Sequence, residues 1–382
     1  MNFLKALPQE LSEELSELVR VLTPHTKKLY AVGGAVRDFF LNKNISDLDI
    51  EIYDLSLDKF NELMQALGAK EVGKSFQVYK WGSIDIALAR EEFKSGTGHK
   101  GFVTIPINDE KKGSKRRDFT INSLMINLLT NEVLDFWDGL KDLKKKRVKH
   151  ICKDSFIEDP LRVLRGVQFA SRFGFFIDED TLNLMKTLPL EELSKTRITW
   201  ELEKLFNGEF YAHGMVAFYK TNLHKSLFNL NLSWKDLAKV SRALQRYSKD
   251  IPSHLKEFYW LYIFAHILNI DMKSLLDKFS FSKKHYKYLL NSYHPKSYLS
   301  DYELVKISFE KPLNEWVGIV LEDYSLRAKK LNIYEEKFSG NVSVKDVIKD
   351  GFVGKDIKKE LLRRIELAAK KDFLGTKKAP KD

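Results

Sequence analysis

The chain has 382 residues, too many for one hydrophobic core and enough for roughly two to four domains of ordinary size. With 43% hydrophobic and 31% charged residues it is globular rather than disordered, and its single cysteine, Cys152, excludes an internal disulfide or a CxxC metal or redox site. The formal net charge of +11 points to a polyanionic partner, nucleic acid above all, because Lys and Arg gain by releasing counterions from phosphates.

In chain order, the acid-rich first eighteen residues carry no signal-type apolar core, and no run reaches the ~18 apolar residues of a membrane span, so a cytoplasmic, membrane-free chain is expected. Residues 10–22 carry Leu11, Leu15, Leu18, Val19 and Leu22 at helical spacing. The run Leu29–Val32 reads as a buried strand ending at the Gly33-Gly34 turn, with a helix from Ala35 to Asn42. Residues 47–53 alternate apolar and acidic side chains as a strand does, which puts Asp47, Asp49 and Glu51 on one face. A helix over 57–67 ends at Gly68, and Phe76–Trp81 with Ile84–Leu88 reads as a hairpin carrying Asp85. Residues 94–115 are rich in glycine and charge and are expected to form a mobile loop, followed by an apolar, helix-like segment after Arg116-Arg117. Beyond Lys144–Arg147 helical periodicity dominates, with no fixed-period repeat and a frayed tail over 376–382. The fold class is therefore α+β, with a small mixed sheet first and helices after it.

Several clusters carry chemistry. Residues 68–75 match the P-loop pattern GxxxxGK[ST], but a helix precedes the match and an apparent strand follows, so no helix N-terminus faces a phosphate and the match is set aside. Gly33 and Gly34, followed by Arg37, would let backbone N–H groups approach a phosphate. Asp47 and Asp49 repel unless a cation lies between them, which suits Mg²⁺; Asp85 is a possible third ligand or an ordinary surface carboxylate. Arg116 and Arg117 can clamp a triphosphate, while Asp118 or Asn122 can hold a ribose hydroxyl; the plain alternative is a solvated basic turn. In 158–173, Pro160 opens a helix that sets Asp159 three residues before Arg162, with Glu158, Arg165 and Phe169 on the same stripe. An acceptor beside a donor matches cytosine and adenine, each with an exocyclic amine next to a ring-nitrogen acceptor; the alternative is an intrahelical salt bridge.

Taken in order, GGAVRD and DLD at 33–49, RRDFTINS at 116–123, DFWDGLKDL at 135–143, EDPLRVLRGVQFASRFGF at 158–175 and TRITWELEKLF at 196–206 resemble the bacterial CCA-adding enzyme family, the tRNA nucleotidyltransferases and poly(A) polymerases of the DNA polymerase β superfamily. The resemblance implies a nucleotidyltransferase head over 1–142, a helical base-selecting neck over 143–212, a helical body over 213–300 and a tRNA-binding tail over 301–382. It also implies Asp47 and Asp49 as metal ligands, Arg116, Arg117 and Asp118 near triphosphate and ribose, and Asp159 with Arg162 as the base template. Some relatives carry a metal-dependent phosphohydrolase with a His-Asp pair near position 266; none of the nine histidines here precedes Asp, so that activity is expected to be absent and His266 to be a helix or core residue. Thr196 stands where the family usually has Glu.

Within the family, the stretch Glu91–Lys115 resembles the loop that full CCA-adding members use to switch from CTP to ATP, and Val72–Tyr79 resembles that subgroup more than the poly(A) polymerases. Full CCA addition to tRNA from CTP and ATP is the expectation, with CC-only or A-only addition, poly(A) synthesis and an idle RNA-binding protein as alternatives. Lys144, Lys145, Lys146 and Arg147, with Lys358, Lys359, Arg363 and Arg364, are expected to carry the tRNA backbone, and no protein partner is implied.

Overall fold

The computed structural model describes residues 2–73, 78–94, 102–248, 251–290, 292, 298–318 and 324–374. Two compact units divide the chain, Met1–Leu232 and Ser233–Asp382. In the first unit the described strands are β1 (Leu29–Val32), β2 (Leu48–Ile52), β3 (Lys70–Gly73), β4 (Val78–Trp81), β5 (Ile84–Leu88), β6 (Arg90–Lys94), β7 (Phe102–Pro106), β8 (Met125–Asn127) and β9 (Val133–Leu134), with β10 (Arg147–Val148) and β11 (Phe176–Ile177) forming a short parallel pair within the segment expected to be all-helical. Among the described residues seven of them form one sheet in the order β3-β4-β5-β2-β1-β8-β9, and β6 with β7 forms a separate hairpin. Only β2 and β5 pair in parallel in that sheet, in a register that sets Asp49 opposite Asp85, so both start on one face.

Helix α1 (Gln9–Leu22) buries Leu11, Leu15, Leu18 and Leu22, the stripe its periodicity predicts, and packs on β5. Between β1 and α2 (Gly34–Phe40) the chain turns at Gly33, whose φ of +70° disfavours any L side chain. Helix α3 (Leu57–Ala66) is N-capped by Ser56, and β3 follows it directly, so the P-loop-like stretch is helix then strand; Lys74 and Ser75 lie outside the described residues.

Two expectations change. The stretch 94–115 is not one irregular loop: β6 and β7 bracket it and α4 (Glu110–Lys115) closes it, with Asp109 accepting from the Lys112 amide; residues 95–101 lie outside the described residues. The β-branched run Val103-Thr104-Ile105 explains the strand. After Arg117, the apolar segment makes one 3-10 turn over Thr120–Asn122 and becomes β8 rather than a helix. A strand buried on both faces is a continuous apolar run, which periodicity alone does not separate from a helix.

Helices α5 (Gly139–Lys144), α6 (Lys153–Ile157), α7 (Leu161–Phe173), α8 (Glu179–Met185), α9 (Lys195–Phe206) and α10 (Tyr211–Lys220) complete most of the unit. α7 packs against α9 and α10. Gly208 and Gly214 permit the close approach, since a Cβ there would lie 2.3 and 2.6 Å from the Ser171 side chain. Ser171 Oγ donates to the Leu205 carbonyl (2.6 Å). Phe119, two residues after Arg117, is fully buried with its ring 5.8 Å from Phe169 of α7 and 5.6 Å from Phe156 of α6. That aromatic contact ties the basic turn to the helix. The second unit is helical, from Trp234–Tyr247 to Lys355–Leu374, with a core around Leu304, Val305, Leu313, Ile333 and Ala369. No helix among the described residues is long and apolar enough to cross a membrane.

Arg147 ties α5 to the entry of α8: its guanidinium lies 2.5 Å from buried Asp142 and 3.4 Å from Asp178, while Thr120 Oγ1 donates to the other Asp142 oxygen. Arg147→Ala strands a buried carboxylate. It should cost stability at the lower end of the ~3–5 kcal/mol typical of breaking a buried pair, since Arg147 is partly exposed. Urea denaturation beside Lys145→Ala, expected to change stability by less than ~0.5 kcal/mol, checks it.

Candidate functional site

The site begins with a buried acid. Glu51 on β2 is 1% exposed and accepts from Arg116 Nη2 (2.6 Å), Arg117 Nη2 (2.7 Å) and the Tyr53 hydroxyl (3.1 Å). Burial alone would raise its pKa, but the two guanidiniums outweigh that and hold it at about 2. Adjacent arginines that would repel each other are thereby fixed side by side. Sequence reading put Glu51 on the strand face and gave it no role; the signal available was an acid at a strand position flanked by Ile50 and Ile52.

A second acid works in the same way. Asp118, buried, accepts from the Phe119 amide and Asn122 Nδ2 (both 2.8 Å) on one oxygen and from Arg165 Nε (2.6 Å) on the other. Burial opposes ionisation, yet Arg165 and Asn122 keep its carboxyl below the usual range. Asn122 in turn accepts from Arg37 Nη1 (2.7 Å), whose guanidinium lies 4.6 Å from the Phe173 ring. Arg37 and Asn122 are thus buried links of a network, and Asp118 points at α7.

Asp159 and Arg162 do not pair with each other. Asp159 accepts from Arg197 Nη2 of α9 at 2.9 Å, while Arg162 donates to the Ser155 carbonyl (2.5 Å) and the Arg116 carbonyl (2.6 Å). The intrahelical salt bridge is replaced by a link between α9 and the residue before α7. Two carbonyls still leave Arg162 further N–H donors.

These groups line one cleft of about 420 Å³, which brings Gly33, Gly34 and Asp49 together with Arg116, Arg117, Asp118, Arg165, Asp159, Arg162 and Arg197. A Cβ on Gly33 would stand 3.2 Å from Asp49 Oδ2 and 3.9 Å from Arg117 Nη1, so the bare glycine keeps carboxylate and arginine within reach of one ligand. Asp49 reaches solvent, but the surrounding protein, then Asp85 and Asp47, push its pKa up, against Arg117. Asp85 Oδ1 accepts no hydrogen bond and lies 3.4 Å from Lys80 Nζ; Asp47, exposed just before β2, accepts from Ser46 Oγ (2.6 Å). No group of three or more His, Cys, Asp or Glu among the described residues is close enough to hold a metal by itself. Mutually repelling carboxylates beside clustered arginines fit a divalent cation that would share its coordination with the oxygens of an anionic ligand.

Residues 29–149 match the family model described as the poly A polymerase head domain, and 174–232 match the probable RNA and SrmB-binding site of polymerase A, ending where the first unit ends. Both matches are to domains of the poly A polymerase family. Among the chain's relatives, the CCA-adding enzyme of Lactococcus lactis subsp. cremoris is 28% identical over 80% of this chain and 76% of its own. The multifunctional CCA protein of Haemophilus ducreyi is 40% identical over 48% of this chain and 46% of its own. The chain thus spans about three quarters of the first and under half of the second. In fold it is similar to the Bacillus stearothermophilus CCA-adding enzyme in complex with CTP (TM-score 0.71, 21% identity, 94% of this chain and 93% of that one). It is likewise similar to the Thermotoga maritima CCA-adding enzyme complexed with tRNA (TM-score 0.66, 21% identity, 99% and 95%).

The basic candidates divide. Lys144, Lys145 and Lys146 are exposed, whereas Arg147 is engaged internally. In the second unit Lys358 and Lys359 are exposed, but Arg363 and Arg364 both bind Glu360 (2.7 and 2.8 Å) and Arg364 also binds Asp350 (2.7 Å). His266 is an exposed residue of the helix Lys256–Leu268, stacked on Tyr262 at 5.5 Å, and not a core histidine. Arg172, Arg197, Gln168 and Lys204 also line the cleft and were not singled out from sequence, because nothing in their local spacing shows that α7 and α9 face one cavity.

The low pKa of Glu51 has a consequence for acid stability. A carboxylate depressed from 4.5 to about 2 contributes stability that is complete above pH ~4.5 and lost as pH falls toward 2, ~3 kcal/mol in all at 1.36 kcal/mol per unit. Glu51→Gln should therefore be less stable than wild type at pH 7. The gap should narrow by ~3 kcal/mol between pH 5 and pH 2 in urea titrations; a gap constant with pH would mean Glu51 is not the buried anchor.

Proposed function

We propose that the chain is a tRNA nucleotidyltransferase that adds C, C and A to the 3′ end of tRNA from CTP and ATP without a nucleic acid template, releasing pyrophosphate. One observation carries this reading: a single cleft is lined by Asp49, which Asp47 and Asp85 approach, by the anchored Arg116 and Arg117, and by a carboxylate–guanidinium set, Asp159, Arg197 and Arg162. The names of the relatives support it.

In the reaction, the 3′-hydroxyl oxygen of tRNA forms a bond to the α-phosphorus of the nucleotide and the bond to the bridging oxygen breaks, so the hydroxyl proton is lost and pyrophosphate leaves. Arg116 and Arg117, held by Glu51, bind the triphosphate, and the Gly33-Gly34 turn lets it approach the backbone. Asp49 and Asp47 would hold Mg²⁺, with Asp85 the further candidate; such an ion supplies charge neutralisation at the attacking and leaving oxygens. Asp118 keeps Arg165 aimed along the cleft. Asp159 accepts from the exocyclic amine of cytosine or adenine and Arg162 donates to the adjacent ring nitrogen, while Arg197 orients Asp159. Uracil and guanine present the reverse pattern and are rejected. A 1–142 head thus supplies the phosphate end and a 143–212 neck the base end, and exposed lysines such as Lys144 to Lys146, Lys358 and Lys359 attract tRNA. Work on tRNA, with no protein partner required, belongs in the cytoplasm.

Transcripts ending before the CCA triplet, after C and after CC, incubated with Mg²⁺ and each nucleotide singly or CTP with ATP, should be extended to CCA and stop. Stopping at CC, adding only A to CC ends, or a long A ladder would each replace the reading with the corresponding narrower activity. Asp49→Asn should fold with an unchanged circular dichroism spectrum and lose extension; near wild-type extension would overturn the metal assignment. Wild-type tRNA affinity should also fall steeply as salt rises.

A further inference from the structure

Trp200 of α9 is 58% exposed and has no ring contact, hydrogen bond or ion pair among the described residues. A bare indole of this size on a helix otherwise buried along its inner face is costly to leave in water. It lines a shallow depression with Arg172, Glu203, Lys204 and Asn207. Arg172 and Lys204 also line the nucleotide cleft, so the depression continues that cleft outward within the first unit. Arg172 has no acidic partner among the described residues; its guanidinium lies 5.1 Å from the Phe173 ring, and Lys204 is balanced by Glu201 at 2.8 Å.

We propose that Trp200 is a stacking platform for an unpaired base of the RNA 3′ end, with Arg172 and Lys204 taking the adjacent phosphate. An exposed aromatic ring beside basic side chains, of which Arg172 has no acidic partner among the described residues, is the combination that holds single-stranded nucleic acid without reading its sequence. Sequence tolerance is what this position needs, because the terminal base is the variable base before CCA at the first step and C at the next two, while the base-reading groups stay in the cleft. An acidic peptide would suit Arg172 but would leave the indole face unused, and Glu203 beside it disfavours a run of carboxylates. The proposal rests on the nucleotidyltransferase reading above and assigns the site of the second substrate.

Loss of one base–aromatic stack lowers affinity by roughly 5- to 150-fold. Trp200→Ala should therefore raise the KM for tRNA, and the Kd of a 3′-labelled tRNA transcript measured by fluorescence anisotropy without nucleotide, by at least fivefold. The KM for CTP should stay within about twofold, and Trp200→Phe should recover most of the affinity. Since the ring is exposed, the thermal midpoint should move little. Unchanged tRNA KM and Kd would overturn the proposal, as would a selective rise in the KM for CTP, which would place the ring at the nucleotide. If wild type fails to extend tRNA, the functional reading falls separately, and the anisotropy comparison still decides whether Trp200 holds RNA.

Discussion

Two like-charged arginines do not stay side by side in a partly buried cleft unless something compels them, and here the compelling group is one carboxylate. Glu51 lies in the middle of the sheet, on the strand that carries Asp49 and pairs with the strand carrying Asp85, and binds both Arg116 and Arg117. Positive charge for a polyphosphate and negative charge for a cation are therefore set by the same short strand. Removing that acid would take away the buried counter-charge that holds both guanidiniums together, far more costly than losing a surface ion pair.

The second half of the site is built by the same logic. Asp118 sits directly after the two arginines and reaches into α7 to hold Arg165, while Arg162 returns a bond to the Arg116 carbonyl. Phe119, buried against Phe156 and Phe169, gives this crossing its apolar backing. The groups proposed to bind phosphate and to read the base are thus linked in one hydrogen-bonded network. A protein that selects a base without a template needs such stiffness, because discrimination depends on donors and acceptors that do not relax toward the wrong partner.

Much of this was legible in the sequence, and the failures have physical causes. The strands at 29–32 and 48–52, the glycine turn and the helix after Pro160 follow from periodicity and local turn chemistry. Asp49, Arg116, Asp159 and Arg162, grouped in the sequence by motif order rather than geometry, line one cleft. Partner choice was not legible. Asp159 and Arg162 have ideal spacing for one another, yet Asp159 takes Arg197, a residue 38 positions away. Arg147 read as a surface cation because nothing nearby announces that Asp142 is buried. Arg363 and Arg364 are likewise spoken for by Glu360, one turn away on their own helix. The segment after Arg117 misread as helix because burial on both faces erases the alternation that marks a strand.

The central claim is that side chains stand in for a template, with Asp159 accepting from the amine of C or A. Its most direct test is single-turnover incorporation of CTP and UTP into a transcript lacking CCA, by wild type and by Asp159→Asn. An Asn carboxamide can turn a donor toward the uracil carbonyl, so the ratio of CTP to UTP incorporation should fall at least tenfold, chiefly through faster use of UTP. An unchanged ratio, with both nucleotides slowed equally, would contradict the account and leave Asp159 as a structural partner of Arg197 alone.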